Sequence, residues 1–368
     1  MKRLLCLVSA MDAGGAETFL MKLYRNIDRE KYQMDFAVTS SEEGFYDNEI
    51  EELGGEIFHV EPKKNGVYKS FLSIYRLIKE KQYDYVLKTS QRSLAALDLL
   101  AAKLAGAKIR VYRSSNAGLV SPTIKEKMLQ RLFVFLPRCF ANIRIAPSTE
   151  AAEYVFGKNC IKKGKAKLLK NGLDLNKFSF NQEGRNKIKK EFSIEDKLVV
   201  GHIGRFNEQK NHVFLLKIFK DINKMNPNSV LLLVGNGELQ DKIKQKVKEL
   251  GLETSVIFAG IRADVPQLLS AMDILVFPSY FEGMPNIILE AQTTGLPCLI
   301  SDRITEEAKV CDCVKSMPLE KTSSDWANEA MVMKNDNRHS NDSAMREAGY
   351  DIGDVAKDFI NIVFKEEY

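Results

Sequence analysis

The sequence contains few of the residues that build metal centres and disulfide frameworks. Its 368 residues include six cysteines and four histidines, and only Cys311 and Cys313 lie close together among the cysteines. No Cys-x2-Cys pair occurs, so the zinc-finger signature is excluded, and nothing in the spacing demands disulfides. Long apolar runs are also missing, because no segment reaches the roughly 18 uninterrupted apolar residues that suggest a membrane-spanning helix.

A strong charge of either sign is lacking as well. The formal net charge is +5 and the pI is near 8.7. These values fall short of the dense basic character of a dedicated nucleic-acid binder, so we expect no nucleic-acid partner. The apolar run 4–8 stops at Ser9 and is too short for a signal peptide. We therefore expect a buried first strand and a cytoplasmic protein.

The composition that remains is ordinary for a globular protein, 45% hydrophobic and 28% charged, and the length suits two domains. Short apolar runs alternate with helical periods, such as 94–104 and 239–250, the latter ending at Gly251. The predicted strands are 4–8, 35–38, 57–60, 85–87, 109–112, 144–146, 199–203, 230–234, 256–258, 274–277 and 298–300. This alternation predicts the α/β class, with parallel sheets covered on both faces.

The domain boundary is predicted in the polar stretch 174–197, which contains few apolar residues. The first domain then covers residues 1–175 and the second covers 196–350. A C-terminal helix over about 352–368 is expected to pack back on the first domain.

Ligands of open α/β sheets bind at the carboxyl ends of the strands, and two loops there carry glycines and charge. Gly14 and Gly15 follow the first strand, where they fit either a close backbone approach to an anion or a tight turn without function. Gly204, Arg205 and Lys210 follow the strand 199–203. Both cations could reach a diphosphate, and a solvated charged loop is the alternative. A third loop, 235–238, fits a structural turn, and a backbone that lies close to the nucleotide is the alternative.

The most informative loop follows the strand 274–277 and carries two carboxylates eight residues apart. Glu282 lies in the loop, and Glu290 lies about two turns into the next helix, with Pro285 in its first turn. One carboxylate could accept hydrogen bonds from sugar hydroxyls, and the other could hold a ribose diol. The backbone N–H groups of 284–287 could face a phosphate.

These residues are where the chain resembles glycosyltransferase family 4, in particular bacterial capsular and exopolysaccharide transferases. The resemblance is carried by 201–211, 256–266 and 281–292, and it extends from Gly14 to Ser301. It implies the GT-B fold, in which two Rossmann-like domains face each other across a cleft. The donor is then held mostly by the C-terminal domain and the acceptor by the N-terminal one.

The resemblance also implies roles for individual residues. Arg205 and Lys210 match the diphosphate-binding pair, Glu282 matches the contact to the donor sugar, and Glu290 matches the contact to ribose. The loop from Arg262 to Val265 matches the base-binding region. The predicted donor-binding residues are Gly14, Gly15, Gly204, Arg205, Lys210, Arg262, Val265, Glu282, Gly283, Met284, Pro285, Asn286, Ile287 and Glu290.

Family members are retaining transferases that commonly need no metal, and no cofactor is expected here. The chain contains no Asp-x-Asp sequence, so cations and helix N-termini must neutralise the leaving diphosphate. One departure concerns a histidine motif of many relatives, whose place is taken here by Arg113-Ser114-Ser115-Asn116. Arg113 either stabilises the leaving phosphate or makes a structural ion pair. We expect Glu282, Arg205, Lys210 and Arg113 to be the catalytic group, and His202 to be a packed core residue.

The expected donor is a nucleotide sugar, with UDP preferred from family frequency, and the expected acceptor is a glycan or polyprenyl-linked glycan. Basic and large apolar residues alternate over 123–144, which fits either an anionic membrane surface or a buried helix that covers the sheet. The first alternative makes the protein peripheral on the inner face of the cell membrane. A GT-B nucleotide-sugar epimerase and a non-catalytic sugar-nucleotide-binding partner remain as alternative functions.

Overall fold

The computed structural model describes residues 1–12, 14–115, 118, 123–282, 284–334 and 338–364. The chain forms two compact units. Unit 1 comprises Met1–Leu173 together with the described residues from Gly349 onward, and unit 2 comprises Asp174–Ala348. The polar stretch 174–197 therefore lies within unit 2. Gly283, Asn116 and the end of the predicted C-terminal helix, 365–368, fall outside the described residues.

Unit 1 is built on a seven-stranded parallel sheet with the order β3-β2-β1-β4-β5-β6-β7. Its strands are β1 (Lys2–Val8), β2 (Tyr32–Val38), β3 (Ile57–His59), β4 (Tyr85–Thr89), β5 (Ile109–Arg113), β6 (Ile143–Ala146) and β7 (Lys167–Leu168). Its first seven helices are α1 (Gly15–Asn26), α2 (Asp47–Glu52), α3 (Val67–Lys81), α4 (Leu97–Ala105), α5 (Ile124–Phe133), α6 (Leu136–Phe140) and α7 (Thr149–Phe156).

Unit 2 is built on a six-stranded parallel sheet with the order β10-β9-β8-β11-β12-β13. Its strands are β8 (Leu198–Ile203), β9 (Ser229–Val234), β10 (Val256–Gly260), β11 (Ile274–Phe277), β12 (Cys298–Ser301) and β13 (Val314–Met317). Its helices are α8 (Gln182–Glu191), α9 (His212–Met225), α10 (Gln240–Leu250), α11 (Val265–Ala271), α12 (Asn286–Thr293), α13 (Ser323–Met333) and α14 (Asp342–Glu347).

The central strands are buried on both faces, as continuous apolar runs predict. In β1, Leu4 and Cys6 point into one core of unit 1, and Leu5 and Leu7 point into the other. In unit 2, alternate residues of β9 and β11 likewise divide between two cores. The helices that cover these faces leave the loops at the carboxyl ends of the strands free to carry functional residues.

The last helix, α15 (Ile352–Val363), returns to unit 1 and packs on α1. Its apolar face joins the core beside β1 and β2. Phe364 then lies between the rings of Tyr32 and Tyr85, with both ring centroids 4.8 Å away. The helix therefore completes one of the two cores of unit 1.

All eleven predicted strands are present, but β7 and β13 were missed. The predicted helix 94–104 is split into a 3-10 helix, Ser93–Ala96, and α4. Helix α10 ends as predicted at Gly251, whose φ of 67° is in the left-handed region. Among the described residues, no helix is both long and apolar enough to cross a membrane.

Candidate active site

The loop after β8 presents Arg205 and Lys210 in different environments. A short 3-10 helix, Glu208–Lys210, begins where the Asn207 side chain accepts a hydrogen bond from the Lys210 N–H, and it ends at Asn211 with a φ of 53°. The side chain of Arg205 is 73% exposed and lies 3.4 Å from Glu238. Arg205 can therefore turn toward a ligand at little cost, because exposed ion pairs are weak.

The loop 235–238 supports the loop after β8. A β-carbon on Gly235 would lie 2.1 Å from the Gly204 carbonyl oxygen, and one on Gly237 would lie 2.5 Å from that of Phe206. Phe206 N–H donates to the carbonyl oxygen of Asn236 at 2.9 Å. The two glycines thus permit close backbone packing, in agreement with the predicted structural turn.

Lys210 and Glu282, 72 residues apart in sequence, form an ion pair. The Lys210 Nζ is 2.7 Å from Glu282 Oε1, and the two side chains are only 14% and 10% exposed. The ammonium also lies over the ring of Phe277, 4.4 Å from its centroid. The structure therefore brings together the residue predicted to bind the diphosphate and the residue predicted to bind the donor sugar.

Backbone contacts fix the loop that carries Glu282. Tyr280 N–H donates to the Gln209 carbonyl oxygen, and Gln209 Nε2 donates to that of Phe281, each at 2.9 Å. Glu282 itself forms a parallel bridge with Ile304. The Lys210 loop and the Glu282 loop therefore share hydrogen bonds, and sequence spacing alone gave no signal for them.

The helix that follows Glu282 begins only after Pro285. Pro285 is the residue before α12 rather than part of its first turn, and Met284 precedes it in the loop. Asn286 and Ile287 are the first two helical residues, so their N–H groups belong to the helix N-terminus, which favours anions. Glu290 is the fifth helical residue and is half-buried, so it lies just over one turn into α12 and not two.

Arg262 is held by two carboxylates. Its guanidinium contacts Glu191 at 2.5 Å and Asp264 at 2.7 Å, and these hydrogen bonds, first with Asp264 and then with Glu191, raise its pKa. Asp264 precedes α11, whose first residue is Val265. Arg262 is thus held in position by two carboxylates of unit 2.

Two buried histidines lie next to Lys210. His202 Nδ1 is 2.9 Å from the Val276 carbonyl oxygen, which can only accept, so this nitrogen carries the proton. The His202 ring lies 4.8 Å from that of His212. Burial, followed by the charge of Lys210, lowers the pKa of His212 to about 4. The prediction that His202 is a core residue is confirmed, and the burial of His212 beside it was not predicted.

In unit 1, the glycine pair begins helix α1. Gly14 is the residue before the helix and has an extended backbone, and Gly15 is the first helical residue. A β-carbon on Gly14 would lie 2.4 Å from Glu17 Oε2, so the Glu17 carboxylate folds back against the loop. Burial raises the pKa of Glu17. The loop therefore places a carboxyl group, as well as N–H groups, at the carboxyl end of β1.

Arg113, the last residue of β5, is covered by protein. Its side chain is among the most deeply buried in the chain, lies 3.8 Å from the centroid of the Phe19 ring and donates to Asn171 Oδ1 at 2.7 Å. Burial lowers the pKa of Arg113 to about 9, and Glu17 opposes this shift. Direct contact with a leaving phosphate would require the covering atoms to move.

Helix α5 is amphipathic and contains no fully buried residue, although Phe133 packs against a core of unit 1, so the helix covers the protein with one side only. Ile124, Met128 and Leu132 recur every four residues and are 80%, 69% and 63% exposed. Thr123 and Glu126 close the helix start with a capping box. The helix therefore presents a continuous apolar stripe to solvent.

Sequence comparison identifies relatives for both halves of the chain. The model of Glycosyltransferase Family 4 matches residues 13–177, and that of Glycosyl transferases group 1 matches residues 184–316. A Bacillus subtilis (strain 168) protein named as a glycosyltransferase, EpsF, is 34% identical over 331 residues, which cover 89% of this chain and 86% of the relative. The capsular polysaccharide glycosyltransferase CapH of Staphylococcus aureus is 25% identical and covers 92% of each chain.

Solved structures show the same fold at lower identity. Anabaena Alr3699/HepE, crystallised in complex with UDP and glucose, superposes with a TM-score of 0.79 at 22% identity, covering 99% of this chain and 100% of the other. WaaG, a glycosyltransferase involved in lipopolysaccharide biosynthesis, gives 0.71 at 14% identity, covering 99% and 100%.

These relatives are named as transferases, which favours transfer over the epimerase and binding-partner alternatives. The two parallel sheets and the two matching models agree with one another. The chain belongs to glycosyltransferase family 4 and is a glycosyltransferase of the GT-B fold, related to enzymes of polysaccharide biosynthesis.

Proposed function

We propose that this enzyme transfers a hexose or N-acetylhexosamine from a UDP-sugar to a growing, lipid-linked surface polysaccharide, with retention of the anomeric configuration. The ion pair between Lys210 and Glu282 is the observation that carries the proposal. It joins a cation suited to a diphosphate and a carboxylate suited to sugar hydroxyls at the carboxyl end of one sheet.

Names of relatives support the choice of donor and acceptor. An Escherichia coli relative, 33% identical over 64% of this chain and 62% of its own length, is named for UDP-Gal and a GlcNAc-diphosphoundecaprenol acceptor. A Campylobacter jejuni relative, 26% identical over 79% of this chain and 77% of its own length, is named for an acceptor on diphosphoundecaprenol. We extend both the nucleotide and the lipid-linked acceptor to this chain.

On donor binding, we expect the ion pair to open. Lys210 then turns to the diphosphate and is joined by the exposed Arg205, while Glu282 accepts hydrogen bonds from the sugar. The N-terminus of α12 faces the phosphates, Glu290 binds the ribose, and the loop from Arg262 to Val265 contacts the base. A screen of nucleotide sugars by thermal shift tests the donor, since only a bound ligand stabilises the fold. No stabilisation by any UDP-sugar would contradict the proposal.

We propose that transfer proceeds on one face of the sugar and without a metal. The acceptor oxygen bonds to the anomeric carbon as the bond from that carbon to the diphosphate breaks, and the leaving phosphate oxygen takes the acceptor's proton. Arg205, Lys210 and the start of α12 stabilise the charge that develops. The anomeric configuration of the product, read by NMR, tests retention. Activity should survive EDTA, and complete loss restored by magnesium or manganese would overturn metal-free transfer.

We further propose that unit 1 docks peripherally on the inner, anionic face of the cell membrane through helix α5. The exposed apolar stripe of the helix is flanked by three exposed basic residues, Lys125, Lys127 and Arg131. Further exposed lysines follow α7, at positions 158, 162, 163, 165 and 167. Apolar insertion combined with basic charge is the pattern of an interfacial helix, and each basic side chain adds about 1 kcal/mol near an anionic surface.

Vesicle sedimentation tests this docking. The wild-type enzyme should bind vesicles that contain anionic lipid, bind neutral vesicles far less and lose binding at high salt. Replacing Lys125, Lys127 and Arg131 by Glu should abolish binding and leave UDP-sugar affinity unchanged. The matched control changes three exposed basic residues of α3 to Glu: Lys69, Arg76 and Lys79. If both triple variants lost vesicle binding equally, net charge alone would explain the loss. That result would contradict a specific role for α5.

A further inference from the structure

The turn before β13 brings cysteines together on the side of unit 2 that faces the end of α12. Cys311 and Cys313 flank Asp312, and the Val314 N–H closes the turn on the Cys311 carbonyl oxygen at 3.2 Å. Asn341 Nδ2 donates to Cys313 Sγ at 3.6 Å. Cys311 and Cys313 are both free thiols, so the turn holds a dithiol.

This pair is set up for oxidation to a disulfide. Both thiols are partly exposed, whereas the neighbouring Cys298 is buried. The neighbouring Cys313 thiol lowers the pKa of Cys311, whereas the Cys311 thiol and then burial raise the pKa of Cys313. Cα atoms two residues apart in a turn lie about 5–7 Å from each other, close to the range that a disulfide spans. Cys311 is thus the nucleophile and Cys313 the second thiol.

A buried glutamine links this turn to the helix of the donor side. Gln292 of α12 is fully buried, and its Oε1 accepts the N–H groups of Val310 at 2.8 Å and Cys311 at 2.9 Å. Its Nε2 donates to the Ala308 carbonyl oxygen at 2.8 Å. Gln292 lies two residues beyond Glu290, so the backbone at Cys311 is hydrogen bonded to the part of α12 that carries Glu290.

We propose that Cys311 and Cys313 form a reversible oxidation site that responds to a peroxide or a small disulfide, and that its oxidised form binds the nucleotide sugar less tightly. The effect on binding rests on the proposed function of α12, whereas disulfide formation does not. With hydrogen peroxide, the Cys311 thiolate attacks one peroxide oxygen, the O–O bond breaks, and a sulfenic acid and hydroxide form; the hydroxide takes up the proton that the thiol released on ionisation and becomes water. The Cys313 thiol then attacks the sulfenic sulfur and releases a second water.

The expected disulfide is easily reduced. It would close a ring over one intervening residue, and such a tight ring strains the bond, which makes it more oxidising than a structural disulfide. Drawing the two sulfurs together tightens the turn and pulls the Cys311 N–H away from Gln292. A weakened hydrogen bond at this place should loosen the C-terminal half of α12 and lower donor affinity about threefold to tenfold.

Mass spectrometry of the full-length enzyme tests the site without reference to donor. After hydrogen peroxide and alkylation of the remaining thiols, the peptide that contains Cys311 and Cys313 should be lighter by two hydrogen atoms and unalkylated, and dithiothreitol should reverse both changes. With oxidised glutathione, Cys313→Ser should retain glutathione at Cys311. Cys311→Ser should not form the disulfide. Cys139→Ser removes an exposed thiol in unit 1 and is the matched control. Failure of the wild-type peptide to oxidise would overturn the site.

Two further measurements test the link to α12. Hydrogen–deuterium exchange in the peptide spanning 288–293 should be faster in the oxidised enzyme, whether or not a donor is known. The KM for the UDP-sugar should rise in oxidised wild-type enzyme and Cys139→Ser, and should stay constant in Cys311→Ser under the same treatment. A disulfide without either change would overturn the link. Absence of any UDP-sugar turnover in the reduced enzyme would instead refute the proposed function.

Discussion

Replacing Lys210 by Met separates the structural and catalytic consequences of its ion pair with Glu282. Methionine keeps the apolar stem but removes the ammonium, which leaves the Glu282 carboxylate without its cation. Loss of one partner of a buried pair costs about 3–5 kcal/mol. Because the two side chains are 14% and 10% exposed and solvent reaches them in part, we expect about 2–3 kcal/mol for Lys210→Met.

The single tryptophan makes this loss measurable in the correct unit. Trp326 is fully buried in unit 2, so its fluorescence during urea unfolding reports the stability of the unit that holds the pair. The double variant Lys210→Met, Glu282→Gln should recover most of the lost stability, because no unpaired charge remains. Both the single and the double variant should transfer sugar about 100-fold more slowly than the wild type, because the leaving diphosphate loses the Lys210 ammonium.

The outcomes distinguish the two roles. A single variant as stable as wild type would show that the ion pair contributes nothing to the fold. Near-wild-type turnover in the double variant would require the diphosphate to bind elsewhere, whatever the stability result.

Three further predictions concern single residues of unit 2. The unfolded chain binds a proton at His212 more readily than the folded one, so His212 should lower the urea stability read from Trp326 by up to about 3 kcal/mol as pH drops from about 6.5 to about 4. Burial also lowers the pKa of His202, which destabilises the fold in the same direction, so His212→Asn should reduce this dependence without abolishing it. Glu290→Ala should weaken UDP binding by about 1.5–3 kcal/mol in calorimetry, because the ribose diol loses a charged acceptor; unchanged affinity would contradict the assignment. Arg205→Ala should slow transfer about 100-fold yet unfold like wild type, because its exposed pair contributes little; normal turnover would count against its role.

The sequence predicts the architecture well because the central strands are continuous apolar runs, and two-sided burial requires this pattern. Strand β13 was missed because Val-Lys-Ser-Met at 314–317 has two polar residues in its centre and is not a continuous apolar run; it lies at the edge of the sheet, where burial on both faces is not required. Strand β7 has only two residues and carries no period. Pro285 was placed in the first turn of α12, although it precedes the helix, because proline is favoured near helix starts.

The candidate site was predicted only in part. Its loops could be found because they follow buried strands, and the carboxyl ends of parallel strands lie at one edge. The pairing of Lys210 with Glu282 and that of Arg262 with Glu191 join residues about 70 positions apart, and no local pattern encodes such contacts. The burial of Arg113 was equally hidden, since an arginine at a strand end is usually exposed.

The return of helix α15 to unit 1 sets an order for folding during synthesis. Unit 2 is continuous, so the ribosome delivers all of its residues before α15 is made. Synthesis of unit 1 begins first, but the helix that completes one of its cores is made last. Tyr32 and Tyr85 therefore lack their contact with Phe364 until the end of synthesis. The half of the enzyme that is translated first is therefore the half that finishes folding last, and an apolar surface on α1 stays uncovered while the rest of the chain emerges.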